Sequence, residues 1–254
     1  MSRHPRHRLL STLSLVFALS FPCAFAHAEA PVPKTNPDFA PMGDGSTFEV
    51  RVAAVSVGKP DLAHVRGTAF LIGPRGLFAT ADHLVDGLSD DQLKEIFILR
   101  PTPPTVTASK ATLVKRFKTG DSTRDLAFLQ ITRKADDPDL PFFEIAGEPQ
   151  VGEEVFLLGY PLVFDKVYRW PLFRFGRISS VKYFLRDSKV LVLDLTSASG
   201  FSGAPVIRRS DGKVLGVQKG GATGNKQADF SLATVLTTAD LPTSDTEAPT
   251  RPAP

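Results

Sequence analysis

Apolar residues along this chain fall in short runs rich in Val, Ile, Phe and Leu, at 48–57, 67–72, 96–99, 126–131, 155–158, 190–195, 205–207, 214–218 and 230–235. Gly, Pro and polar residues separate them. Runs of this length at this spacing predict an all-β sandwich or barrel. One stretch departs from the pattern. Residues 89–96 (S-D-D-Q-L-K-E-I) predict a helix with Ser89 or Asp90 as its N-cap. Residues 133–150 are polar and carry Pro and Gly, which predicts a joint between two halves. There is no tandem repeat with a period of 20–50 residues.

The two ends differ from the middle. Arg3, Arg6 and Arg8 precede an apolar run from Leu9 to Phe21, too short for a stable membrane span, and Ala26-His27-Ala28 offers an A-x-A cleavage site. Residues 1–28 therefore predict a secretory signal peptide and a periplasmic or secreted protein. Ser20-Phe21-Pro22, ahead of Cys23, is not a lipoprotein cleavage box. Residues 29–45, with Pro31, Pro33, Pro37, Pro41, Gly43 and Gly45, predict a flexible arm or short pro-segment. Residues 241–254, with four prolines among Thr, Ser and Ala, predict a disordered tail.

Removing the leader changes the charge balance. Three of the 30 basic residues and none of the 27 acidic ones lie in residues 1–28. The remainder is balanced, so the basic pI of 9.0 does not argue for nucleic acid or an anionic membrane as partner. The single cysteine lies in the leader, which excludes disulfides and thiol chemistry downstream. Only His64 and His83 remain of five histidines, and no EF-hand or P-loop pattern occurs, so no metal or cofactor is expected. The length of 254 residues suffices for one large domain or two small ones with a sizeable core, and 19 Phe against 3 Tyr and 1 Trp suits core filling.

Three segments carry chemistry. Gly200-Phe201-Ser202-Gly203-Ala204-Pro205 sets a serine in a glycine-bracketed turn. Such a turn can aim the Ser202 hydroxyl and the N–H groups of Gly200 and Ser202 at one point, the requirement for a nucleophile beside an oxyanion hole. It is not the G-x-S-x-G elbow, because residue 204 is Ala. His83 follows a run that leaves the core and suits general-base work near neutral pH. Its rival, His64, sits among Pro60, Asp61 and Arg66 in what reads as an exposed hairpin loop. Asp125 opens the run 126–131, where its carboxylate could accept from an imidazole Nδ1–H. The bland alternative for Asp125 is a turn aspartate paired with Arg124. Asp82 and Asp121 are rival orienters.

Taken in order, these segments resemble the trypsin-like (chymotrypsin-fold) serine peptidases, especially bacterial exported proteins of the HtrA type, here without room for a PDZ domain. The likeness rests on Gly67-Thr68-Ala69-Phe70-Leu71-Ile72, Thr80-Ala81-Asp82-His83, Asp125-Leu126-Ala127, Val151-Gly152-Glu153-Glu154-Val155 with Gly159-Tyr160-Pro161, Phe175-Gly176-Arg177-Ile178-Ser179, Gly200 to Pro205, and Val214-Leu215-Gly216-Val217. It implies two six-stranded antiparallel β-barrels, over 46–135 and 150–240, with the active site in the cleft between them. It implies Ser202 as nucleophile, His83 as general acid and base, Asp125 as orienter, and the Gly200 and Ser202 N–H groups as oxyanion hole. The substrate pocket is expected from Thr196 and Ser197 on one side and Val217, Gln218, Lys219 and Gly220 on the other. The expected partner is a polypeptide.

The chain also departs from the family. Phe201 stands where animal members carry aspartate, so activation by a new N-terminal ammonium is not available. Asp82 replaces a small or amide residue beside the histidine and could raise its pKa by proximity. Thr196 is not acidic, so a trypsin-like Lys/Arg preference is unsupported; Lys219 would favour an acidic side chain if it points inward. A second reading is an inert relative that binds extended peptides by strand addition. A third is an esterase on the same machinery.

Overall fold

The computed structural model describes residues 45–102, 105–117, 124–163, 166–167, 170–184, 188–221 and 230–243. The expected signal peptide, almost all of the arm, most of the tail and Asp121 lie outside the described residues.

Six strands make the first barrel: β1 (Val52–Val57), β2 (Val65–Gly73), β3 (Leu77–Thr80), β4 (Ile96–Thr102), β5 (Thr105–Phe117) and β6 (Leu126–Ile131). They close antiparallel in the order β1-β2-β3-β6-β5-β4. Large and small side chains share the interior: Leu71, Phe78 and Ile98 face Ala53, Ala69 and Ala127, all fully buried. Mixing the two sizes fills a narrow barrel without voids. Both faces of β6 are buried near its start, which is why its sequence reads as a nearly continuous apolar run.

The second barrel begins with β7 (Glu154–Gly159). After a two-stranded ribbon, β8 (Leu162–Val163) and β9 (Lys166–Val167), come β10 (Leu172–Phe184), β11 (Ser188–Leu193), β12 (Pro205–Arg208), β13 (Val214–Gly221) and β14 (Ser231–Val235). The closed order is β10-β11-β14-β13-β12-β7. Its interior takes Leu157, Ile178, Leu193 and Val206 from strands, and also Phe201 and Ala204 from the loop around Ser202. The sequence expectation of two six-stranded antiparallel barrels is met.

Two local expectations need correction. Residues 48–57 do not form one strand: Ser46–Glu49 is a short helix and β1 starts at Val52. Phe48 leaves the sheet because its ring packs edge-on against Phe156 at 5.3 Å and stacks on Phe143 at 6.3 Å. The helix expected over 89–96 is shorter, α-helical over Asp90–Leu93, with a capping box between Ser89 and Gln92. Ile96 starts β4 instead, since there it is fully buried inside the barrel. The polar segment 133–150, expected as a joint, is hydrogen-bonded to strands of both barrels. Phe143 N–H donates to Leu71 O at 2.9 Å, and Ala146 N–H donates to Val214 O at 2.7 Å, tying it to β2 and then to β13. Among the described residues no helix is long and apolar enough to cross a membrane.

Candidate active site

β3 ends at Thr80, and the chain turns through a single 3-10 turn, Asp82–Leu84, which presents His83. Asp125 stands at the head of β6, and β6 pairs with β3. The pairing therefore delivers the carboxylate to the histidine turn. Asp125 Oδ2 lies 2.5 Å from His83 Nδ1, and Oδ1 accepts from the His83 backbone N–H at 2.8 Å. An ionised carboxylate only accepts, so with Asp125 in that form the contact would select the imidazole tautomer that carries its proton on Nδ1. Asp125 is 3% exposed, and its backbone N–H reaches Thr234 Oγ1 in β14 at 3.4 Å. The bland pairing with Arg124 does not occur. Arg124 instead bonds Asp240, whose carboxylate also caps the Thr237 backbone.

Neither of the two described rivals, His64 and Asp82, takes the place. His64 pairs with Asp61 at 2.6 Å on an exposed 3-10 turn, and that bond holds the Asp61 carboxyl below its usual value. Asp82 is fully buried and turned from the imidazole toward Arg116 of β5, which donates from Nε at 2.6 Å and Nη2 at 2.9 Å.

Ser202 sits in a loop whose backbone conformation glycine permits. Gly200 has φ +93° and Gly203 φ +83°, in the left-handed region that other residues avoid. Space is equally restrictive: a Cβ on Gly200 would lie 2.2 Å from Tyr160 O, and one on Gly203 2.0 Å from Thr68 O. The loop is fastened on three sides. Gly203 N–H donates to Gln218 O at 2.7 Å, and Gln218 N–H to Ala204 O at 2.8 Å, so β13 backs the turn. Thr68 N–H of β2 donates to Ser202 O at 2.8 Å. Phe201, the unusual residue of the motif, is fully buried in the second barrel and anchors the turn through its ring.

Two donors in this loop have no acceptor among the described residues. Ser199 O accepts from Leu162 N–H at 2.8 Å, which turns that carbonyl away from the bend. The N–H groups of Gly200 and Ser202 then donate to no group among the described residues. N–H groups left without an acceptor in a loop that carries a serine hydroxyl suit a developing oxyanion.

Gly67 shows how near the two halves lie. A Cβ there would come within 2.6 Å of both Leu84 Cδ1, next to His83, and Ser202 O. The histidine turn and the serine loop thus flank one glycine of β2. The hydroxyl of Ser202 makes no hydrogen bond to His83; such contacts commonly tighten only when substrate is bound.

The expected pocket residues divide by position. Val217 and Gln218 lie in β13 and are buried. Lys219 and Gly220 follow, half-buried, at a register shift against β14. Gln218 Nε2 donates to Gly220 O at 3.2 Å, while its buried Oε1 has no partner among the described residues. Thr196, exposed, and Ser197, half-buried, follow β11 on the approach to the loop. Sequence reasoning missed Thr68, Arg116 and Thr234. Only Thr68 left a trace, as a hydroxyl residue inside an otherwise apolar run.

The family described as Trypsin-like peptidase domain matches residues 67–217. Among solved structures, the MamO protease domain from Magnetospirillum magneticum is 23% identical with a TM-score of 0.57, over 75% of this chain and 93% of that one. The active form of the Rv3671c protease from M. tuberculosis is 24% identical with a TM-score of 0.55, over 76% and 78%. Deg5 is 19% identical with a TM-score of 0.54, over 74% and 85%. These likenesses concern the fold. No curated protein matches the chain.

Proposed function

Since the chain belongs to the trypsin-like peptidase domain family, we propose that it is an exported serine endopeptidase that cleaves polypeptides through an acyl-enzyme. The observation that carries this reading is the double contact of Asp125 with His83, at Nδ1 and at the backbone N–H. A surface histidine needs no such grip; a general base that must keep one tautomer does.

In the proposed mechanism Ser202 Oγ attacks the scissile carbonyl carbon and His83 Nε2 takes its proton. The oxyanion settles between the N–H groups of Gly200 and Ser202. Collapse breaks the C–N bond as His83 returns the proton to the leaving amine. Water, deprotonated by His83, then releases the acid. Asp125 stays ionised and stabilises the imidazolium. Thr196, Ser197, Val217, Gln218, Lys219 and Gly220 would form the walls that receive the substrate side chain. Export rests on the charged and apolar pattern of residues 1–28.

A fluorophosphonate probe tests the reading. The wild-type chain should be labelled at Ser202 and cleave casein, and Ser202→Ala should do neither. An unlabelled wild type, or equal labelling of both, would overturn it. Recovery of the native protein beginning near residue 29 outside the cytoplasm tests export. One observation favours a second reading, an inert peptide-binding relative: Ser202 makes no hydrogen bond to His83. Peptide binding that survives Ser202→Ala, with no turnover by wild type, would select it.

A further inference from the structure

The turn that carries His83 is clamped by a cation from the neighbouring sheet. Asp82 and Asp86 flank His83 in sequence, and Arg116 reaches both. Its Nε donates to Asp82 Oδ1 at 2.6 Å, and its Nη2 donates to Asp82 Oδ2 at 2.9 Å and to Asp86 Oδ1 at 2.7 Å. The Asp82 side chain is fully buried, while that of Arg116 is 21% exposed. A carboxylate removed from water persists only with a partner that replaces its hydration, and a two-pronged guanidinium contact does so with a fixed direction. These bonds raise the Arg116 pKa above its ordinary value, so the cation is permanent. Arg116 also stands opposite Ala127 on β6, two residues from Asp125. One end of the β5–β6 ladder thus holds the histidine turn from two sides.

We propose that Arg116 is a positioning residue for the reaction assigned above: it fixes the His83 turn and offsets the charge of Asp82 beside the imidazole. The proposal rests on His83 being the general base. Among the described residues the charged groups facing that turn are Asp125 at the head of β6, Asp82 and Asp86 on the turn itself, Arg116 from β5, and Arg66 from β2, whose Nη1 donates to Leu84 O at 3.2 Å. Among the described residues three carboxylates thus meet two guanidiniums. Without Arg116 the anions dominate, the imidazolium is favoured, and the base stays protonated to higher pH. Without Asp82 two carboxylates face two guanidiniums, the field at the ring is less negative, and the shift reverses.

The test reads His83 directly. Its ring protons are titrated by NMR in the Ser202→Ala background, beside the pH profile of kcat/KM for the active chain. Arg116→Gln should raise the His83 midpoint by about one pH unit and carry the acid limb of kcat/KM with it. Arg116→Lys, which keeps the charge, should return the midpoint most of the way but not the full rate. Asp82→Asn, nearly isosteric and retaining Arg116 on Asp86, should lower the midpoint; it provides the decisive reading if Arg116→Gln does not fold. A His83 midpoint unmoved by Asp82→Asn and by whichever Arg116 variants fold overturns the proposal, whatever the activity. Shifts in the expected directions with no turnover by wild type would retain the clamp and remove the peptidase assignment.

Discussion

Thr68 Oγ1 donates to Gly200 O at 2.8 Å and accepts from Tyr160 N–H at 3.0 Å. A single buried hydroxyl on β2 of the first barrel therefore holds two backbone groups of the second. Thr68→Val keeps the shape and removes both bonds. A stability loss of about 1–3 kcal/mol for each group left unpaired is expected, with lower turnover, since Gly200 is a proposed oxyanion donor. Urea unfolding and peptide-hydrolysis kinetics check this; Thr68→Ser should retain most of both. A valine variant as stable as wild type would show that the hydroxyl is dispensable.

Gly203→Ala should be far more damaging than its size suggests. The new Cβ would stand 2.0 Å from Thr68 O and 2.4 Å from Thr80 Oγ1, on a backbone with φ +83°. A loss of about 3 kcal/mol or more is expected, and the probe should no longer label Ser202. Gly147→Ala is the control, because nothing lies within 4 Å of the added carbon. It should change stability by no more than about 0.5 kcal/mol.

Asp125→Asn should separate orientation from folding. The amide occupies the same space but favours the wrong imidazole tautomer, so kcat should fall by about 10⁴-fold with circular dichroism unchanged. Near-normal turnover by this variant would remove Asp125 from the reaction.

One pH effect follows from the surface of the second barrel. Arg208 donates to Asp211 from Nε at 3.0 Å and from Nη2 at 2.7 Å, which holds the Asp211 carboxyl below its ordinary value of 3.8. A depressed folded value means the contribution is complete above the unfolded value and fades as pH falls through the folded one. Wild type should therefore be slightly more stable than Asp211→Asn at neutral pH, and the gap should close in acid. Exposure of the pair keeps the effect small. Denaturation midpoints at pH 7 and pH 3 read it.

The fold was legible because most barrel strands are buried along nearly their whole length and so read as short apolar runs, and the turns between them need Gly and Pro. His83 was legible by scarcity, as one of two histidines beyond the leader, and Ser202 by its bracketing glycines. Partnerships were less visible. Whether Asp125 pairs with Arg124 or His83 depends on the register between β3 and β6, a long-range property no local window contains. Arg116 meets Asp82 for the same reason, and nothing near residue 116 marks it. Phe48 was misread because a ring packed on a neighbouring aromatic cluster and a ring inside a strand look alike in one dimension.

Asp125 is encoded near the middle of the chain, yet its backing arrives late. Thr234 Oγ1 meets its backbone N–H, and Asp240 binds the adjoining Arg124. A ribosome that has not yet released these residues holds a polypeptide with its histidine and serine already made and its carboxylate still unsupported. The surroundings of Asp125 are thus complete only once the β14 segment and the turn that follows it have been synthesised.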